Sequence, residues 1–220
     1  MTAHESRRTG LLRLRHLQEV TEAVEEEMTA ERARFARLAK PESATRAVSS
    51  FNLFQTPEQL ARRMASCFPT TGRTLEPSAG LGRLFKAIRD NDNTCHITLV
   101  EQSATLCGEL YTLTEADADC RLIQGDFLAQ SPDALGLFDR IIMNPPFKMG
   151  ADIKHITHAR RFLAPGGRLV ALCANGPRQR DKLQPIADEW HPLPAGSFRT
   201  EGTNVDAVLL VIDNPSAGTR

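Results

Sequence analysis

The sequence predicts an α/β fold with a doubly wound, mostly parallel sheet and an N-terminal helical extension. From about residue 57 onward, strand-like segments alternate with helical segments, which is typical of parallel sheets whose strands are joined by helices. Before them, residues 11–40 contain few helix breakers and carry apolar residues at spacings of three and four, which predicts one or two amphipathic helices. We therefore expect a helical extension at residues 1–45, a main domain at 46–213 and a disordered tail at 214–220.

The elements of the main domain are predicted from short apolar runs, helical periodicity and turn residues. The predicted helices cover about residues 57–67, the segment after Gly82, residues 105–113 and residues 153–163. Strands are predicted at about residues 74–76, 96–100, 121–123, 141–143, 168–173 and 205–212. A Pro-Gly-Gly turn at residues 165–167 is expected to lead into the fifth of these strands.

Composition disfavours several classes of protein. The formal charge is zero, so any surface for nucleic acid must be local. The sequence has no run near the roughly 20 apolar residues of a membrane span, and its N-terminus, rich in Glu and Arg, does not resemble a signal peptide. The five cysteines are scattered without a C-x-x-C pair, which favours reduced thiols in a cytoplasmic protein over metal or disulfide sites.

Residues suited to binding a nucleotide-like cofactor follow three consecutive predicted strands. Gly80 and Gly82 lie between the first strand and a helix, where glycines permit a tight turn and close approach to a ligand. Glu101 ends the second strand, where an acidic residue can bind ribose hydroxyls. Asp126 and Phe127 follow the third strand and offer a carboxylate and a stacking ring. The sequence lacks a G-x-x-x-x-G-K-[ST] phosphate loop and the second G-x-x-G of a nicotinamide site, which disfavours those two classes.

The predicted strand at residues 141–143 ends in Asn144-Pro145-Pro146-Phe147. The two prolines cannot donate ladder hydrogen bonds, so the strand stops there. An amide side chain, a fixed backbone carbonyl and an aromatic ring remain at its tip. This set suits the task of holding a planar, amino-bearing group while its nitrogen attacks an electrophile.

Together these motifs resemble class I amino-methyltransferases that use S-adenosylmethionine, and in particular small phage- and prophage-type DNA N6-adenine methyltransferases. The resemblance covers roughly residues 51–213 and includes the helix with Asp152, His155 and His158 and the segment at 202–205. It implies a seven-stranded, Rossmann-like sheet and S-adenosylmethionine as the cofactor. The cofactor-binding residues that it implies are Phe54, Gln55, Thr56, Glu76, Ser78, Ala79, Gly80, Gly82, Glu101, Gln102, Asp126, Phe127 and Asn144.

The resemblance also implies direct in-line methyl transfer to a base that has left its stack. Asn144 and the Pro145 carbonyl would each accept one amino hydrogen, with Pro146 and Phe147 completing the catalytic motif. The substrate-contacting residues that it implies are Phe147, Lys148, Phe198, Arg178 and Arg180. No metal site is expected, because His155 and His158 have no third ligand in the sequence.

Alternative interpretations of single residues stay open at this point. Thr56 and Pro57 also form an ordinary helix start, Phe198 also suits a hydrophobic core, and the rim cations also suit a solvated surface.

Alternative functions stay open as well: methylation of ribosomal RNA at adenine N6 or guanine N2, methylation of a protein glutamine, or a non-catalytic DNA-docking module. We expect nucleic acid, DNA first, as the partner, and no membrane. The N-terminal helix is a candidate surface for a homodimer or a specificity partner. The predicted domain has no separate target-recognition region, so we expect specificity to be relaxed, read by short loops or supplied by a partner.

Overall fold

The computed structural model describes residues 55–68 and 72–216. The predicted extension at residues 1–45 and Phe54 lie outside the described residues, as do residues 217–220 of the predicted tail. Asn214, the first residue of that tail, donates hydrogen bonds to the carbonyls of Leu163 and Ala164 at 3.1 and 3.0 Å. The chain is therefore anchored one residue beyond the predicted domain end.

The described residues form seven strands and six α-helices, with short 3₁₀ turns between them. The strands are β1 (Thr74–Glu76), β2 (Ile97–Glu101), β3 (Cys120–Gln124), β4 (Phe138–Met143), β5 (Leu163–Ala174), β6 (Glu189–Pro192) and β7 (Ala207–Asp213). The α-helices are α1 (Glu58–Ala65), α2 (Arg83–Asn91), α3 (Ala104–Thr114), α4 (Pro132–Leu135), α5 (Ala151–Ala159) and α6 (Pro177–Lys182). Within the described ranges, every helix is too short or too polar to cross a membrane.

All seven strands join one sheet in the order β3-β2-β1-β4-β5-β7-β6. The pairs from β3 to β5 are parallel, and β7 pairs antiparallel with both β5 and β6. Helices connect the parallel strands, as parallel pairing requires. The predicted fold class, a doubly wound and mostly parallel Rossmann-like sheet, is confirmed.

The centre of the sheet is apolar because helices cover it. Every residue of β1 is buried, and in β4 only Asp139 is exposed. Strands covered on both faces read as continuous apolar runs rather than as alternating patterns, which is why residues 141–143 and 205–212 were recognisable in the sequence. The flanking helices bury one stripe each, as α2 does with Leu84, Phe85, Ala87 and Ile88.

The structure departs from the sequence-based prediction at five elements. β6 was missed because it is a short edge strand with mostly exposed residues and no apolar run, and α4 and α6 are too short to show helical periodicity. The predicted helix at 153–163 begins at Ala151 and ends at Ala159. The predicted turn at 165–167 is an irregularity inside β5, where the register jumps between the pairs of Phe138 and Arg140.

The strand order places a crevice at one edge of the sheet. β1 leads outward to β2 and β3, whereas β4 returns to the other side of β1. Ligands of open α/β sheets bind beyond the carboxyl ends of the strands at such a reversal. The fold therefore brings the ends of β1, β2, β3 and β4 to one place.

Candidate active site

A cleft of about 600 Å³ lies at the carboxyl ends of β1 to β4. Most of the residues predicted for the cofactor and for catalysis line it, although they come from five separate parts of the sequence. They are Gln55, Thr56, Glu76, Ser78, Ala79, Gly80, Glu101, Gln102, Asp126, Phe127, Asn144, Pro145, Pro146 and Phe147. The two predicted halves of the site, for cofactor and for transfer, thus share one cavity.

The glycine-containing loop after β1 is tied to the end of β2. The backbone N–H of Gly80, which has a φ of 56°, donates to Glu101 Oε2 at 2.9 Å. The N–H of Ser103 donates to Glu101 Oε1 at 2.8 Å. A carboxylate has about four lone-pair positions, so Glu101 retains acceptor capacity for hydroxyl groups. These two bonds hold its carboxylate at the wall of the cleft.

Glu76 ends β1 as a buried carboxylate in the cleft wall. Its side chain is 1% exposed, and among the described residues its Oε2 atom has no hydrogen-bond partner. Burial raises the pKa of this carboxyl well above its usual range, a backbone hydrogen bond from Phe85 lowers it, and the nearby charge of Glu101 raises it. A buried acceptor without a donor is costly, so this atom marks a place where a ligand donor fits.

Asp126 and Phe127 follow β3 in a tight turn. Asp126 is exposed, and its Oδ1 accepts a hydrogen bond from the N–H of Leu128 at 2.9 Å. Phe127 lines the cleft but is only 2% exposed. Its ring packs edge-on against His158 with centroids 4.9 Å apart and lies 5.2 Å from the ring of Phe162. Phe127 therefore forms a fixed apolar floor, while Asp126 faces solvent at its rim.

The segment before α1 contributes Gln55 and Thr56 to the cleft. Thr56 is 3% exposed, and the N-cap position of α1 is Pro57, without a side-chain capping bond. The ordinary helix-start interpretation of Thr56 therefore does not describe its position here. Gln55 Oε1 accepts a hydrogen bond from Arg83 Nη2 at 3.0 Å, which links this segment to the first turn of α2.

The transfer motif, residues 144–147, follows β4 and lines the cleft. Asn144, Pro146 and Phe147 are half-buried, and Pro145 is buried. The motif ends at Phe147, which is followed by a 3₁₀ turn from Lys148 to Gly150 and then by α5. Since prolines restrict the backbone, the Asn144 amide and the Pro145 carbonyl are held on a stiff segment beside the cofactor loop.

Five other predicted site residues lie away from the lining of the cleft. Gly82 is the N-cap of α2, where a Cβ atom would come within 2.5 Å of Leu113 Cδ2; its role here is close packing. Phe198 is 0% exposed, so the core interpretation describes it and the structure does not present it to a base. Lys148, Arg178 and Arg180 are exposed and lie outside the lining.

Sequence reasoning missed His155 as a cleft residue. It lines the cavity from α5, and its Nδ1 lies 3.5 Å from Ser78 Oγ. Burial lowers the pKa of its imidazole, the charge of Asp126 raises it, His158 lowers it, and Asp152 raises it. Its place on the helix that follows the transfer motif was the available signal. Arg83 and Ser103, which bind Gln55 and Glu101, gave no such signal: a cation on a helix is ordinary, and Ser103 acts through its backbone N–H.

The described residues contain no group of three or more His, Cys, Asp or Glu side chains arranged to hold a metal ion. His158, the neighbour of His155 on α5, has its Nε2 atom 3.1 Å from the Gln130 carbonyl oxygen. The five cysteines are free thiols, and burial raises the pKa of Cys107 and Cys120 to about 12. The thiols of Cys107 and Cys120 therefore stay protonated near neutral pH.

Comparison with known proteins identifies a family. The model of the methyltransferase small domain matches residues 55–189, whereas a search of curated proteins finds no match. A proposed class I S-adenosylmethionine-dependent methyltransferase from Listeria monocytogenes superposes with a TM-score of 0.61 at 15% identity, over 76% of this chain and 62% of that one. A proposed RNA methyltransferase from Pyrococcus horikoshii gives 0.62 at 14% identity, over 85% and 99%. The glycopeptide N-methyltransferase MtfA bound to S-adenosylhomocysteine gives 0.54 at 20% identity, over 77% and 95%.

The cleft fits the cofactor of such enzymes. The partnerless Oε2 of Glu76 suits the ammonium group of the methionine part of S-adenosylmethionine, and the fixed carboxylate of Glu101 suits its ribose hydroxyls. Phe127 offers an apolar surface for the adenine ring. The chain thus belongs to the methyltransferase small domain family.

Proposed function

We propose that this methyltransferase acts on an exocyclic amino group in nucleic acid, with adenine N6 of DNA as the first candidate. One observation carries the proposal: Asn144-Pro145-Pro146-Phe147 lines the same cleft as the cofactor loop. An amide oxygen, a backbone carbonyl and an aromatic ring side by side match the donors and the flat face of an aminopurine.

The chain's own residues perform the positioning. The lone pair of an exocyclic amino nitrogen is delocalised into the ring, so the nitrogen is a poor nucleophile. The Asn144 side-chain oxygen and the Pro145 carbonyl accept one amino hydrogen each, which directs the lone pair out of the plane of the base. When bound, S-adenosylmethionine supplies an electrophilic methyl group. Orientation and preorganised dipoles lower the barrier without a strong base.

Phe147 supports the base in this proposal. Its half-buried ring follows the two prolines at the wall of the cleft, where it stacks on a base that has left its duplex. The methylated amino group then loses a proton to solvent, which the open cleft admits.

Exposed cations near the motif provide the local charge that a neutral chain needs to bind nucleic acid. Lys148 follows Phe147 directly, while Arg178 and Arg180 are exposed on α6. The Arg180 guanidinium donates to Asn175 Oδ1 at 3.1 and 3.2 Å, which restricts its orientation. In the proposal these groups contact phosphates, which position the strand without reading its sequence.

Ribosomal RNA is the second candidate substrate. The Pyrococcus horikoshii structure, which is described as that of a proposed RNA methyltransferase, aligns with 85% of this chain and almost its own full length. TrmN from Thermus thermophilus also shares the fold, at a TM-score of 0.56 and 20% identity, over 71% of this chain and 48% of that one. Since identities this low support only a common fold, the choice between DNA and RNA belongs to experiment.

The test is transfer of labelled methyl from S-adenosylmethionine to unmethylated duplex DNA and, in parallel, to ribosomal RNA, with nucleoside mass spectrometry of the product. We expect N6-methyladenine in DNA. Asn144→Ala should lower kcat by about 10²–10³, the effect of removing one preorganised polar group from a transition state, while calorimetry shows retained cofactor binding. Asn91→Ala is the matched control: Asn91 ends α2 and donates to the Ala65 carbonyl at 3.4 Å.

The outcomes separate the candidates. Label in RNA alone would replace DNA by the second candidate. Cofactor binding without transfer to either nucleic acid would contradict the proposal and direct attention to a protein substrate such as a glutamine side chain. Equal turnover of Asn144→Ala and the unaltered chain would refute the role of Asn144.

A further inference from the structure

Met149 is the most exposed large apolar side chain among the residues that the structure describes. It is 86% exposed, whereas the next two, Leu137 and Leu128, are 42% and 37% exposed. It lies two residues after Phe147, in the turn that leads from the transfer motif into α5. A long apolar side chain beside an active site in full contact with water is poorly placed for stability, so its position calls for another reason.

The backbone of Met149 is held in a conformation that this residue type avoids. Its φ of 57° and ψ of 24° lie in the left-handed region. Within the described ranges, no other residue except glycines has a positive φ. Left-handed backbone costs free energy in residues with a Cβ atom, and such strain persists where the surroundings impose it, often at functional sites. The result is a side chain directed outward by its own backbone.

The turn is stiff because its exit is anchored in the sheet. Gly150 continues at a φ of 75°, and its N–H donates to the Phe147 carbonyl at 3.3 Å. Asp152, which is fully buried, then accepts hydrogen bonds from the Ala174 N–H at 3.0 Å and from Gln179 Nε2 at 2.9 Å. The turn that carries Met149 is therefore followed at once by a residue, Asp152, whose hydrogen bonds join α5, β5 and α6.

Two cationic residues lie next to this tip. Lys148 precedes Met149 in the chain and is exposed. Arg178 approaches the following residue, since a Cβ atom built on Gly150 would lie 4.0 Å from Arg178 Nη1. The acidic side chains of α5 and α6 are engaged elsewhere: Asp152 is buried in its hydrogen bonds, and Asp181 pairs with Lys182 at 3.1 Å. An apolar tip with cations beside it is complementary to stacked bases flanked by phosphates.

We propose that Met149 is a wedge that enters the base stack of duplex DNA at the position vacated by the base that moves onto Phe147. Lys148 and Arg178 contact the flanking phosphates. Apolar side chains inserted between base steps are a known means of unstacking a duplex, and extrusion of a base costs unstacking and unpairing energy that a single strand does not pay. This inference rests on the proposed function and adds to it the duplex form of the substrate.

The test compares kcat/KM on native duplex DNA with kcat/KM on the same DNA after heat denaturation. Met149→Ala should lower the value on duplex about tenfold, which is part of the energy of unstacking and unpairing one base. It should leave the value on single strands within about twofold, since no base needs extrusion there. Met149→Leu, which keeps an apolar side chain of similar size, should retain most activity on duplex. Met149→Gly, which suits the left-handed backbone, is a second variant that guards against misfolding.

Each outcome decides between the wedge and the proposed function. Equal values for Met149→Ala and the unaltered chain on duplex, or an equal loss on both substrates, would overturn the wedge and leave the proposed function standing. An unaltered chain that methylates neither form of DNA, or only RNA, would overturn the wedge together with DNA as the substrate. A loss on duplex alone, rescued by leucine, supports it.

Discussion

At the scale of single residues, the buried carboxylate of Glu76 makes stability depend on pH. Its folded pKa is raised by burial, so its contribution is present below the ordinary glutamate pKa of about 4.3 and is lost as pH rises through the folded pKa. Glutamine does not titrate, so Glu76→Gln does not lose stability in this way as pH rises. Between the ordinary and the folded pKa of Glu76, we expect the free energy of unfolding of the variant, relative to the unaltered chain, to increase by up to about 1.4 kcal/mol per pH unit.

Urea unfolding at a series of pH values checks this, and parallel curves would contradict it. The same variant should bind S-adenosylmethionine more weakly, because an amide, unlike a carboxyl group, cannot ionise to pair with an ammonium group.

The stabilising contribution of His155 depends on pH in the opposite direction to that of Glu76: it is lost as pH falls. Burial lowers the pKa of its imidazole, so the folded protein keeps it neutral while the unfolded chain takes up a proton below about pH 6.5. Its contribution to stability is therefore present above that pH and is lost as pH falls toward the folded pKa. We expect His155→Gln to lose less stability than the unaltered chain between about pH 7.5 and 5.5. Thermal unfolding at both pH values measures the difference, and an unchanged pH response would rule this out.

At the scale of secondary-structure elements, Asp152 joins three of them. Its carboxylate, at the start of α5, accepts from the end of β5 and from Gln179 on α6. Asp152→Ala leaves buried donors unpaired, so we expect it to lower the free energy of unfolding by about 3 kcal/mol. Chemical denaturation measures this. The control is Asp181→Ala, which removes an exposed ion pair on α6. We expect it to change the free energy of unfolding by no more than about 0.5 kcal/mol. Similar effects of the two substitutions would contradict the role of Asp152 in joining the three elements.

At the scale of the whole molecule, cofactor binding should couple to folding of the entire sheet, because the cleft joins the ends of four strands. A ligand at 100 times its Kd stabilises the folded state by about 2.7 kcal/mol. For a domain of this size we expect Tm to rise by about 5–10 °C. Differential scanning fluorimetry with S-adenosylmethionine tests this, with Glu101→Ala, which lacks the ribose-facing carboxylate, expected to reduce the shift. A Tm that does not respond to the cofactor would show that the cleft is not its site.

The sequence by itself determined the fold class and the chemistry at each strand end. Central strands such as β4 are buried on both faces, so their apolar runs are visible locally, and prolines and glycines stop them at fixed positions. For the same reason Glu101, Asp126 and Asn144 could be assigned one by one to the ends of successive strands.

Only the tertiary structure decided which of these residues meet. The order β3-β2-β1-β4 arises from pairing between distant segments, and it brings His155 into the cleft while Phe198 becomes part of the core. Edge strand β6 escaped prediction because its exposed residues carry no burial signal. Likewise, the left-handed backbone at Met149 falls on a residue type that rarely adopts it, so nothing in the local sequence indicated it. Burial and strain of this kind depend on contacts far apart in the chain, and a local pattern of residues does not encode them.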